Sequence, residues 1–586
     1  MPPSSPSATS IPALLRDAAA RFGDRLALRQ PHGHQVHTWT WSEYLAAAEE
    51  IAAGLNHLGL RKGDHIALCS ETRAEFYLAD QGILAAGCVA AALYPSYPPA
   101  ELLGTIARSD ARALFVEDAK TLTRLKDAPV AHLIQMTGDL PASAPPHALT
   151  LATLRGHGRF HADLAPADNA ILYLTSGATG EPKMVLATHG SVVANIHMGP
   201  AVLPIGPDDI TIAFLPSAHI AQRVVVEILP ILSGSPVSFA ESLLKLAGEM
   251  KSVRPTWFLA PPRVWERIYT SIRTEIQKRP AFVQKAIFGA LGLALAAARL
   301  RREGKPIPPH IRVPLRLADK LVFSKIRERF GGRLRIAASG AAPLGHDLAE
   351  FYDAVGMPLI EGYGLTEGGV CALNPLNAAR PGSIGKALPG VSFRVSDDGE
   401  LLISAPCLSS GYYKDPAATR ELIRDGWLHT GDIGEIDSAG YIRITGRSKE
   451  LIVSSNGKKI YPSRVEAFFK LDPLISQVLL LGDNLPHLVA LFTLNPAAAK
   501  DVAGASEPFH ESDPVHAAVQ KIVSAVNKQL APFEQVRRFR ILPRDFAIEH
   551  GEVTATMKVR RKHVLQNFKA EVDALYHLSA SGRGGE

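Results

Sequence analysis

The sequence predicts an α/β architecture in two parts: a large N-terminal assembly of layered helices and buried strands, then a smaller α+β unit. Three observations carry this. Helical stretches alternate with short apolar runs of strand length over the first two thirds of the chain. From about residue 390 the texture changes to short alternating segments separated by DDG and SAG turns. The chain's 586 residues also exceed what one compact core holds.

The first eleven residues, MPPSSPSATSI, are rich in Pro and Ser and read as a disordered lead-in without the basic start and apolar centre of a signal peptide. TWSEYLAAAEEIAAGLNHLGLRKGDHIAL then sets the local grammar. Thr40 and Glu43 have capping-box spacing, and Tyr44, Ala48, Ile51, Leu55 and Leu58 share one helical face. Gly59 ends the helix, and HIAL is a short strand. ILAAGCVAAALYP, ARALFVED, PTWFLAP and RLRIAASG repeat the pattern. VSFRVSDDGELLISA and WLHTGDIGEIDSAGYIRITG predict antiparallel hairpins. A hinge near Lys449 divides residues 12–447 from 448–578, and 579–586, SASGRGGE, reads as a disordered tail.

At 46% hydrophobic and 20% charged, the composition is that of an ordinary globular protein. Four cysteines without C-x-x-C spacing argue against a disulfide framework or a zinc site and fit a reducing cytoplasm. The net charge of +6 suits anionic ligands or a membrane surface, and no nucleic-acid module is visible. The longest apolar runs, AIFGALGLALAAA and ILAAGCVAAALYP, fall short of the roughly 20 residues of a membrane span.

TSGATGEPK looks built for phosphate. Thr175, Ser176 and Thr179 offer hydroxyls, Gly177 and Gly180 allow close backbone approach, and Lys183 is a mobile point charge. Its G-x-x-G-x-x-K spacing, with Met184 after the lysine, is not that of a Walker loop. The bland alternative is a polar turn between a strand and a helix.

Five stretches in order, TSGATGEPK, EGYGLTE, GWLHTGD, GRSKELI and TATMKVRRK, resemble the adenylate-forming (AMP-binding) superfamily over nearly the whole chain. The resemblance implies a multi-subdomain adenylation domain, including a small β-barrel-like part, with a mobile C-terminal domain, and ATP, Mg²⁺ and CoA as cofactor and co-substrates. It makes TSGATGEPK the loop that grips the leaving pyrophosphate. Within Glu361, Gly362, Tyr363 and Gly364, the Tyr363 ring would stack on adenine. Thr366 would bond the α-phosphate, Glu367 would hold Mg²⁺, and Asp432 and Arg447 would hold ribose. Gly340, Ala341 and Ala342 resemble the backbone wall around adenine, and Gly457 would leave room for the CoA arm. Lys558 is the implied catalytic lysine with Lys562 as its rival, because Ala555 stands where the family usually has proline. Ala178 and Met184 depart from the family's usual threonine and glycine.

FLPSAHIAQRV, VRPTWFLAPPRVWERIY and the insertion after it resemble the long-chain fatty acyl-CoA synthetase branch. That implies a long-chain fatty acid substrate, with His219 at the carboxylate pocket or as an interior histidine, and Trp265 in packing. The nearer alternative delivers the acyl group to a carrier protein; a catalytically retired lipid-binding relative is the remote one. In the insertion, VQKAIFGALGLALAAARLRREGK joins an apolar helix to Arg299, Arg301, Arg302 and Lys305. It reads either as a buried helix with a solvated basic end or as peripheral contact with an anionic membrane.

Overall fold

The computed structural model describes residues 8–33, 35–175, 183–454, 457–483, 485, 487–554 and 558–577. The apolar runs too short for amphipathic helices become strands. An eight-stranded sheet runs in the order Gly411–Tyr412, Lys183–Thr188, Asn169–Thr175, Val89–Leu93, His65–Cys69, Ala111–Val116, His132–Gln135, Ala148–Thr150. Its centre is parallel and buried on both faces, which is why VAAAL and HIALC are apolar without alternation. The two strands Lys183–Thr188 and Gly411–Tyr412 are added antiparallel.

A second sheet sets Trp257–Ala260, Ile336–Ser339 and Leu359–Leu365 in parallel and then adds Gly369–Leu373 and Lys386–Ala387 antiparallel. The hairpins expected after residue 390 form: Ser392–Val395 pairs with Glu400–Ser404, and Trp427–Ile436 with Ile442–Arg447, in one antiparallel sheet. Beyond them, a three-stranded sheet of Ile475–Leu481, Leu488–Leu494 and Val536–Ile541 carries helices Pro462–Phe469 and Asp513–Asn527. The fully buried apolar residues divide the same way. Those from Ile11 to Ile442 form two clusters, and those from Ile452 to Leu575 form two others.

Thr40 and Glu43 make the expected capping box for helix Trp41–His57. Three other expectations are corrected. The lead-in ends before Ile11, which is buried as the first residue of helix Ile11–Phe22, because Ile11, Leu14, Leu15 and Ala18 fall on one face and pack into the core. The phosphate-loop segment joins two antiparallel strands, not a strand and a helix. The insertion helix Ala281–Arg302 is, by length and composition, apolar enough to cross a membrane, with a mean hydropathy of 1.7 over 18 of its residues, because apolar residues precede the run read from the sequence. Nor is it a buried helix, although its basic end is exposed as expected. It docks through Ala294, Ala297 and Ala298 and leaves Phe282 and Phe288 exposed. Its arginines pair with Glu350 and Asp353 of helix His346–Ala354: Arg302 with both, Arg299 with Glu350 and Arg301 with Asp353. Lys305 pairs with Glu303.

A fully buried charge cluster stiffens the floor under strand Asn169–Thr175. Arg223, in the π-helical turn Gln222–Ile228, forms an ion pair with Asp80 and lies over the Tyr173 ring at 5.8 Å. Burial, and then the negative Asp80, hold Glu227 well above the ordinary carboxylate range, so it stays neutral beside them. Removing one member of such a pair strands the other charge. Arg223→Leu is therefore expected to lower unfolding free energy by about 3–5 kcal/mol in urea titrations. The double variant Asp80→Leu, Arg223→Leu should recover much of that loss.

Candidate active site

Asp432 is the junction of the site. It sits opposite Arg447 in the antiparallel register of the hairpin, so their side chains share a face, and Arg447 Nε meets Asp432 Oδ1 at 2.9 Å. Tyr363, from the second sheet, donates its hydroxyl to Asp432 Oδ2 at 2.5 Å. Burial and the Asp432 charge raise the Tyr363 phenol well above its ordinary value, which keeps it a donor. The Tyr363 side chain is only 9% exposed, so it offers a ligand little open ring surface in this arrangement.

Lys558 comes to the same place from the far end of the chain. It is held there by the Val553–Val559 bridge and by its own amide, which donates to Thr554 Oγ1 at 3.1 Å. Its half-exposed ammonium lies 4.0 Å from Glu450. Withdrawal from solvent, and then the positive Arg447, hold it below the ordinary lysine range. Lys562 is exposed on helix Arg561–Asn567, where its neighbour Arg561 is engaged by Glu466 and the Leu480 carbonyl.

Thr366 and Glu367 occupy the turn between Leu359–Leu365 and Gly369–Leu373. The turn is tight enough that a Cβ on Gly364 would lie 2.4 Å from the Gly369 carbonyl oxygen. The Thr366 hydroxyl has no hydrogen-bond partner among the described residues. Glu367 Oε1 accepts from the Tyr412 hydroxyl at 2.8 Å. At the base of the phosphate loop, Thr175 donates its hydroxyl to the Lys183 carbonyl at 3.3 Å. Ser176, Gly177, Ala178, Thr179 and Gly180 lie outside the described residues. The Met184 side chain is buried in the main core, so its departure from the family's glycine serves packing.

Gly340, Ala341 and Ala342 follow strand Ile336–Ser339, with Ala341 and Ala342 exposed and Ala341 held at φ +69°. A left-handed alanine is strained. Behind it, Glu361 Oε1 accepts from the Leu344 amide at 3.0 Å and pins the loop to strand Leu359–Leu365. Glu361 thus supports that loop from the interior. Burial pushes its carboxyl up to about 8.

His219 accepts from the Ala221 amide at Nδ1 (3.2 Å), and burial pushes it down to about 4. Accepting at Nδ1, the neutral imidazole carries its proton on Nε2. Next to it in sequence, Ile220 lines a narrow, mainly apolar cleft with Tyr173, Val192, Val224, Thr366 and Cys407. That cleft holds about 10 Å³ of open space, so it is closed here. A larger depression of about 310 Å³ around Asn56, His57 and His157 contains none of these residues. Lys449 is exposed in the turn Ser448–Glu450 between the two sets of cores, and Gly457 stands at φ +73° in a turn with open space around it.

Among the described residues no three His, Cys, Asp or Glu side chains cluster as a metal cage. That suits Mg²⁺, which is commonly held by one carboxylate and substrate phosphates. Glu367 fits that role, because its Oε2 accepts no hydrogen bond among the described residues.

Two family models match the chain: "AMP-binding enzyme" over residues 15–413 and "AMP-binding enzyme C-terminal domain" over 449–580. The chain belongs to the AMP-binding enzyme family. The chain is 34% identical to the long-chain-fatty-acid–CoA ligase FadD15 of Mycobacterium tuberculosis over 92% of this chain and 93% of the relative. It is 30% identical to the peroxisomal long chain acyl-CoA synthetase 7 of Arabidopsis thaliana over 92% and 82%. The adenylation domain of a carboxylate reductase from Mycobacterium chelonae shares the family fold with a TM-score of 0.80 at 22% identity, covering 97% of this chain and 91% of that one.

In the folded family member Glu361 keeps a proton that the unfolded chain releases near its ordinary 4.5. Its stabilising contribution is full below about pH 4.5 and is lost as pH rises to about 8. Glu361→Gln should therefore flatten the fall in urea midpoint between about pH 5 and pH 8. An unchanged slope would place the titration elsewhere.

Proposed function

We propose that this enzyme activates a long-chain fatty acid with ATP, forming acyl-AMP and pyrophosphate, and then transfers the acyl group to CoA. The observation that carries the reading is the arrival of Lys558, from the C-terminal part, 4.0 Å from Glu450 and near enough to Arg447 and Asp432 for their charges to act on it. The long-chain ligases to which the chain is similar over nearly its whole length support the substrate class.

The carboxylate must approach an α-phosphate, so the site has to offset like charge and fix geometry. Asp432 would accept ribose hydroxyls, with Arg447 and Tyr363 holding its carboxylate in place. The unpartnered Thr366 hydroxyl would donate to the α-phosphate, and the Lys558 ammonium to the oxygens gaining charge in transfer. Lys183 and the loop before it would hold the leaving pyrophosphate. Mg²⁺, held by Glu367, would supply a Lewis acid that screens the phosphate charge. The acid's tail would enter the cleft beside Ile220 and Val224. For the second step the part beyond Lys449 would turn and bring the Gly457 loop toward the thiol path. The four cysteines, all free and buried, support a reducing, cytoplasmic setting.

Lys558→Ala should slow ATP–pyrophosphate exchange with oleate by about 10²- to 10³-fold. Lys562→Ala should stay near wild type. The reverse order would move the catalytic role to Lys562. With oleate and ATP, CoA should release AMP stoichiometrically with acyl-CoA. Accumulated acyl-AMP that only a carrier protein discharges would favour the carrier alternative.

A peripheral membrane contact, if the enzyme makes one, is better carried by helix Pro309–Ala318 and the turn after it than by the insertion arginines. Arg299, Arg301 and Arg302 are occupied by carboxylates, whereas Arg312, Arg316 and Lys320 are exposed with no ion pair among the described residues. They run at i, i+4, i+8 beside Val313, Leu317 and Leu321, which are 65%, 61% and 55% exposed. An apolar stripe beside a basic one suits an anionic bilayer from which fatty acid partitions. The protein should sediment with phosphatidylserine vesicles at low salt, and Arg312→Glu, Arg316→Glu, Lys320→Glu should abolish it. Equal sedimentation of wild type and variant would contradict this contact.

A further inference from the structure

Lys183 and Glu367 lie far apart in sequence, on the antiparallel edge of the main sheet and in the Thr366–Glu367 turn, yet one side chain touches both. Tyr412 places its ring face 4.3 Å from Lys183 Nζ and its hydroxyl 2.8 Å from Glu367 Oε1. The backbone dictates this. Tyr412 pairs with Val185 across the antiparallel edge, which makes Lys183 its diagonal neighbour on the same face.

Tyr412 is itself held from behind. Gly411 stands at φ +109°, where a Cβ would lie 2.2 Å from Thr419 Cγ2. The Tyr412 amide donates to Thr419 Oγ1 at 2.9 Å. Thr419 belongs to helix Pro416–Leu422, whose N-terminus is capped by Asp415 accepting from the Ala418 amide at 2.9 Å. The GYYKDPAAT stretch is thus a compact mount for one ring.

The two contacts differ in chemical consequence. Lys183 has no carboxylate within ion-pair distance among the described residues, so it is held by a π-face that leaves its charge un-neutralised. Glu367 gives up one oxygen to the phenol and keeps the other open.

We propose that Tyr412 is a positioning residue that fixes the Lys183 ammonium and the Glu367 carboxylate relative to each other, so that the phosphate tail of the nucleotide and its metal are received as one unit. This rests on the ligase reading for the identity of the nucleotide. The ring serves the phosphate arm and the hydroxyl serves the metal arm, and the arms are separable.

The test is calorimetric ATP binding to the full chain with Mg²⁺ and with EDTA, alongside the Mg²⁺ dependence of pyrophosphate exchange. Tyr412→Phe keeps the ring and should raise the Mg²⁺ half-saturation about tenfold. It should leave metal-free ATP affinity and the KM for fatty acid unchanged. Tyr412→Leu removes both contacts and should in addition weaken metal-free ATP binding by roughly threefold to tenfold. Wild-type behaviour of Tyr412→Phe in both binding experiments would overturn the proposal. So would an equal loss toward ATP and fatty acid in both variants, the signature of a merely structural ring. Binding is read without turnover. A protein with this split that makes no acyl-CoA would remove the ligase reading and leave the proposal standing.

Discussion

The site depends on the confinement of one buried carboxylate. Asp432 is 2% exposed, and each of its oxygens meets a donor from a different strand, the Tyr363 hydroxyl and the Arg447 guanidinium. A buried carboxylate must be paired or it neutralises. Here the pairing joins the second sheet to the antiparallel hairpin, and the positive Arg447 in turn acts on Lys558. Three distant stretches of the chain therefore converge near one charge.

Around that junction the protein keeps its cations available. Carboxylates could have tied down Lys183 and Lys558 more firmly, but under the proposed function these cations serve phosphate and would lose that use once neutralised. Lys183 rests on a ring, and Lys558 has only Glu450 at 4.0 Å. The strongly paired cations lie elsewhere: Arg223 on Asp80 under the phosphate strand, and Arg302 on Glu350 and Asp353 in the insertion. The former braces the site and the latter fastens a surface helix.

Much of this was legible in the sequence, for physical reasons that differ by element. The capping box at Thr40 and the buried strands followed from local pattern, because burial on both faces demands unbroken apolar runs. The hairpin itself was within reach too, but the register that an SAG turn implies would set Gly446 opposite Asp432, and a bulge between Ile433 and Gly434 brings Arg447 there instead. What stayed hidden depends on tertiary placement. Nothing in GYYKDP marks Tyr412 as the ring between Lys183 and Glu367, and Asp80, Arg223 and Glu227 are ordinary surface residue types until the π-helical turn buries them. Glu361 belongs to a nucleotide motif, yet its side chain turns inward to Leu344. The arginines of the insertion are exposed as their sequence suggests, but their carboxylate partners lie some fifty residues on, beyond the reach of local pattern.

The account stands on Asp432 as the group that holds the nucleotide, and calorimetric binding of a non-reactive oleoyl-adenylate analogue to Asp432→Asn tests it most directly. Loss of hydrogen bonds to a charged acceptor predicts an affinity lower by about 10- to 100-fold, with the fold retained by circular dichroism. Affinity equal to that of the wild type would contradict it.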